Sequence, residues 1–109
     1  MSAARFELKG RDLWSVPRSE LERRVREAVK AKGAPRMRGP VRVRIVAPDS
    51  TEAQSARKPV AQAVVSALEG EGVIPGRAVE RADYSYRMNP RDPRIVVEVE
   101  EADNGSKRR

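Results

Sequence analysis

At 109 residues, with 39% apolar side chains and an aromatic set of one Trp, two Tyr and one Phe, the chain has room for one domain with an aliphatic core. It contains neither cysteine nor histidine, which excludes disulfides, thiolate or imidazole metal sites, and Ser-His or Cys-His nucleophiles. Its 23 basic against 16 acidic residues leave a net charge of +7, a balance that favours a polyanionic partner, nucleic acid in the first place.

No apolar run approaches the roughly 18 residues of a membrane span, and the start lacks an apolar signal segment. The expectation is an intracellular, soluble protein. Residues 4–9 alternate, with Phe6 and Leu8 on one face, and read as a first strand ended by Gly10. The stretch 11–17 carries the single tryptophan, Trp14, read as a lid over the core edge, with base stacking as the alternative. Ser19-Glu20-Leu21-Glu22 has the form of a capping box. Leu21, Val25, Ala28 and Val29 then mark a helical stripe closed by Gly33. Glu20 with Arg24 and Glu22 with Arg26 are spaced as helical ion pairs, which makes the polar face of this helix a solvated one.

A basic connector at 34–40 leads to a strand in which Val41, Val43, Ile45 and Ala47 alternate with Arg42 and Arg44. The polar stretch 49–57 reads as a mobile loop. It enters an apolar helix through Pro59, with a stripe of Val60, Ala61, Val64, Ala67 and Leu68 and glycine stops at Gly70 and Gly72. Ala82, Tyr84, Tyr86 and Met88 alternate with charged residues in a third strand. A hairpin-type loop at 89–93 and a last strand through Ile95, Val97 and Val99 follow. The fold class is therefore α+β (mixed α/β): a single domain over residues 1–101 with a small, mostly four-stranded sheet against two helices, and a disordered charged tail at 102–109.

The arginine-bearing strand, the helix reading AQAVVSALEGEGVIPG and the closing PRIVVEVEE together resemble the RusA-like Holliday-junction resolvases, as does the opening RFELKG. The likeness covers most of residues 4–101 and is most specific over 62–76. It implies a phage- or prophage-type homodimer in the cytoplasm that acts on four-way DNA junctions in recombination and repair, with Mg²⁺ held by aspartates. Members of that family enter the helix through Asp-x-Asp-Asn, place a lysine soon after it, and follow GVI with two acids. Here those positions carry Ala56, Arg57, Lys58 and Pro59, then Gln62, then Gly76 and Arg77.

Mg²⁺ requires hard oxygen ligands, ordinarily with one or two carboxylates among them. Lys58 and Arg77 in their place would repel it, by about 4 kcal/mol for one charge pair at 4 Å and an effective dielectric near 20. The sequence thus describes a catalytically inactive relative that binds branched or duplex DNA without a metal, through Arg42, Arg44, Arg57, Lys58 and Arg77. Two other readings stand beside it. One is a phage-encoded module that binds a host or phage protein. The other is an active endonuclease with relocated carboxylates, for which Asp49, Glu52 and Asp83 are the candidate Mg²⁺ ligands.

Overall fold

The computed structural model describes residues 3–34, 36–38, 40–77, 79–89, 91 and 93–101. The elements run β1 (Ala3–Lys9), a single 3-10 turn (Arg11–Trp14), α1 (Arg18–Lys32), β2 (Val41–Pro48), α2 (Thr51–Ser55), α3 (Arg57–Gly70), β3 (Val79–Met88) and β4 (Arg94–Glu101). The four strands form one mixed sheet in the order β1-β4-β2-β3, so the α+β class holds. The expected disordered tail at 102–109 lies outside the described residues.

The two-residue alternation of the strands decides which face is covered. Phe6 and Leu8 of β1, Val41, Val43, Ile45 and Ala47 of β2, and Ile95, Val97 and Val99 of β4 are all buried. All of these but Ala47 meet Leu21, Val25 and Val29 of α1 and Val60, Val64, Ala67 and Leu68 of α3 in one apolar core. Trp14 is half-buried against that core, in the lid position. Residues of the opposite parity, among them Arg5, Arg42, Arg44 and Glu100, stay exposed on the other face. Val96 and Pro48 are exceptions: Val96 is 6% exposed, set between its cross-strand neighbours Glu7 and Val46, and Pro48 is buried at the end of β2.

Three local expectations are corrected. Ser19 does not cap α1: Pro17 does, with φ −61° and ψ 156°, and its carbonyl accepts from the Glu20 and Leu21 amides. Proline's preset φ makes that exit from extended backbone inexpensive, and it leaves Ser19 inside the first turn. The polar stretch at 49–57 is not a loop throughout, because Ser50 accepts from the Ala53 amide and starts α2. Ala63 lies off the stripe of α3 and is still only 1% exposed, which is no correction: α3 is covered by both the sheet and α1, as so apolar a helix requires. The connection at 89–93, of which Pro90 and Asp92 lie outside the described residues, is not a hairpin. β4 pairs with β1 and β2, both antiparallel, whereas β3 pairs with β2 in parallel. A parallel pair needs a long crossover, and α2 with α3 supplies it between β2 and β3.

The expected helical ion pairs form: Arg24 Nε lies 3.0 Å from Glu20 and Arg26 Nη2 lies 3.0 Å from Glu22. Gly33 ends α1 in the left-handed conformation, φ 66°. The basic connector is pinned at Met37, whose amide donates to the Val73 carbonyl at 2.6 Å and whose side chain is 4% exposed. No helix among the described residues is long and apolar enough to cross a membrane.

Candidate nucleic-acid interface

The topology divides the five arginine and lysine candidates into three places. Arg42 and Arg44 leave β2 on the uncovered sheet face, because their neighbours Val41, Val43 and Ile45 point at the helices. Arg57 and Lys58 stand at the start of α3, on the helix side of the sheet, beside the outer strand β3. Arg77 lies past the other end of that helix, where its amide donates to Glu69 at 3.2 Å. From Lys58 to Glu69 the helix rises roughly 17 Å at 1.5 Å per residue, so within one chain Lys58 and Arg77 do not share a site. Arg77 is also a non-glycine residue with positive φ, 62°.

Arg42 and Arg44 are partly neutralised. Arg42 lies 3.6 Å from Glu80 and Arg44 lies 3.4 Å from Glu98, a carboxylate that also receives Arg5 at 3.7 Å. Arg94 meets Glu7 at 3.1 Å and Arg81 meets Asp83 at 3.0 Å. A shallow depression of about 620 Å³ on this face is lined by both signs of charge, with Arg5, Arg42, Arg44 and Arg81 against Asp83, Glu98 and Glu100. Pairs this exposed contribute little each, but they leave the face far less positive than the row of arginines alone suggests.

The start of α3 differs. Arg57 and Lys58 are both exposed, and neither has an ion pair among the described residues. The first turn of α3 holds no acidic residue and its N-cap, Ala56, offers no side-chain acceptor. The positive end of the helix dipole therefore adds to the two cations without an internal anion to offset it. Below them Tyr84 of β3 donates its hydroxyl to the Ala53 carbonyl of α2 at 3.5 Å and packs against Tyr86, ring centroids 5.2 Å apart. Burial pushes the Tyr84 phenol well above its ordinary range, with Tyr86 adding to the shift and Arg57 opposing it. Tyr84 is thus a neutral anchor, not an acid or base near neutral pH.

The carboxylates proposed as relocated ligands are spread out. Asp83 pairs across the sheet with Arg44, whereas Pro48, the residue before Asp49, pairs with Met88. Five strand residues separate these positions, roughly 16 Å at 3.3 Å each. Asp49 instead accepts from the Gln54 side chain at 3.1 Å, and Glu52 sits in the first turn of α2. Among the described residues no three Asp or Glu side chains gather closely enough to hold a metal ion.

Arg5, Arg81 and Arg87 belong to the same uncovered face as Arg42 and Arg44 and were not singled out in the sequence. Their alternation was visible, but which strands lie side by side was not. The chain matches no protein-family model and no curated protein.

Proposed function

We propose that this protein binds nucleic acid by its phosphate backbone and does not cut it, with Arg57 and Lys58 at the start of α3 as the principal contacts. The observation that carries the reading is the pair itself: two exposed cations without ion-pair partners among the described residues, on a helix start with no acid in its first turn. Such a terminus attracts phosphate through both charge and backbone dipole, and an arginine can grip it with a fork. Arg44 and Arg87, reached round the outer strand β3, extend the track. The resemblance to RusA-like resolvases supports branched or duplex DNA as the form bound, by a homodimer in the bacterial cytoplasm, as part of recombination or repair.

The test is a salt series of fluorescence anisotropy with a labelled four-way junction, the linear duplex of equal length, and the single strand. Five to seven phosphate contacts give a log–log slope of about −5 to −6. Absence of binding at low salt overturns the reading. Symmetric nicks in the junction on adding Mg²⁺ or Mn²⁺ would show an active enzyme instead.

A further inference from the structure

β3 is the longest strand, ten residues, and an outer one, hydrogen-bonded to β2 alone. An outer strand presents N–H and C=O groups with no sheet partner, and proteins commonly blunt such an edge with proline, a bulge or a covering segment. From Arg81 to Tyr86 the strand has none of these. Its register with β2 runs unbroken there, and among the described residues no turn or loop backbone bonds to it.

Beside this edge a groove of about 250 Å³ separates β3 from α3. Ile45, Ala61, Ala82 and Tyr84 give it an apolar floor, and Arg57 and Lys58 form its rim. The one acid on its lining, Asp83, is held by Arg81 at 3.0 Å. The opposite edge, β1, offers no such asymmetry, because Glu7 there receives both Arg5 and Arg94.

We propose that an extended acidic segment of another protein adds to the sheet along β3. Its backbone would bond the free edge; on the groove side, apolar side chains would meet the floor and a carboxylate between them the Arg57 and Lys58 rim, while carboxylates on the other side would meet Arg87. Backbone bonding supplies affinity and the alternating pockets supply selectivity in this mode of recognition. Charge complementarity selects the occupant: a second copy of this chain would bring the same cations face to face, which cross-strand pairing disfavours. A segment seated here covers Arg57 and Lys58 and so would exclude phosphate. Its binding is measured with no nucleic acid present, and stands or falls apart from the phosphate reading.

The probe is a fluorescein-labelled, end-blocked peptide, Glu-Val-Thr-Glu-Glu-Val, whose second, fourth and sixth side chains face the groove together, with anisotropy and amide hydrogen exchange as readouts. Expected are saturable binding and slowed exchange between Arg81 and Arg87. Methylating alternate peptide nitrogens keeps the charge but removes the edge bonds, and should weaken binding by about tenfold or more, a loss equal to about 1.4 kcal/mol. The double variant Arg57→Glu with Lys58→Glu should do the same while leaving the fold, followed by circular dichroism, unchanged. Equal affinity of the methylated peptide, protection along β1 instead of β3, or no binding at all overturns the proposal. So does self-association that protects β3 without peptide, or an oligonucleotide that protects it where the peptide does not.

Discussion

Arg24 grips Asp12 with both terminal nitrogens, Nη1 to Oδ1 at 2.9 Å and Nη2 to Oδ2 at 2.7 Å, and so fastens the 3-10 turn that carries Trp14 to the first helix. Its Nε reaches Glu20 at 3.0 Å, and Glu20 is gripped in turn by Arg23. One guanidinium thus organises the corner where β1 hands over to α1. Leu13, fully buried in that turn, is the apolar counterpart of the same junction.

This cluster makes stability depend on pH at the acid end. Arg23 and then Arg24 hold the Glu20 carboxyl down from 4.5 to about 2, and Arg24 lowers Asp12 as well. A carboxylate depressed in the folded state contributes above its unfolded pKa, because the unfolded chain takes up the proton first. Its contribution is therefore present above pH 4.5 and lost as pH falls towards 2. The thermal midpoint should decline across that window, and Glu20→Gln should flatten the decline while lowering the midpoint at neutral pH. An unchanged acid profile in Glu20→Gln would show that the cluster carries no weight.

Backbone strain gives a second set of expectations. Gly33 and Gly72 have φ of 66° and 75°, and a Cβ on either meets nothing closer than 3.9 Å. Alanine there costs backbone energy alone, about 1 kcal/mol each. Gly76 has open space and no positive φ, so Gly76→Ala should be neutral. Arg77 already bears the left-handed penalty at φ 62°, and Arg77→Gly should recover up to about 1 kcal/mol. Urea denaturation of the four variants checks the order, and a loss of stability in Arg77→Gly would contradict it.

The strands were legible because a sheet covered on one face writes its burial as a two-residue alternation, and Val41 to Ala47 is a clear instance. Their neighbours were not legible. β1, β2 and β4 all present the same aliphatic stripe, and nothing in Ile95, Val97 or Val99 specifies insertion between the other two. α2 was missed because five residues are too few for a period, leaving Ser50 as its only sign. The helix start at Pro17 was hidden by Ser19, which matched a capping pattern two residues too far in. For the site, the residue types were visible but not their distribution. Whether Arg42 and Arg57 share a face depends on which side of the sheet α3 covers, and the helix length alone sets Lys58 apart from Arg77.

Arg26 and Gly70 provide a test of coupling between α1 and α3. The Arg26 guanidinium bridges Glu22 at 3.0 Å and Glu71 at 3.8 Å and lies over Gly70, where a Cβ would collide with it. Gly70→Ala gains up to about 1 kcal/mol of helix propensity and displaces a pair network worth at most about the same. The single variant should be close to neutral. With Arg26→Ala already in place nothing remains to displace, so the same substitution should stabilise by about 1 kcal/mol. A double-mutant cycle measures the difference, and strict additivity would show that the guanidinium moves aside freely.

The division of the cations into three places predicts unequal effects on nucleic-acid binding. Each lost phosphate contact reduces the salt slope by about 0.9. Arg57→Ala with Lys58→Ala should therefore flatten it by about 2 and weaken binding uniformly across sequences. Arg42→Ala with Arg44→Ala should cost less, because Glu80 and Glu98 already draw on those charges. Glu98→Gln should strengthen binding, since it releases Arg44 towards the ligand and leaves Arg5 to Glu7 alone. Arg77→Gly should leave the slope unchanged, as its position lies a helix length from the principal contacts. Anisotropy titrations at four salt concentrations give all four slopes. If Arg42 and Arg44 prove the larger loss, the ligand lies across the uncovered sheet face and not at the start of α3.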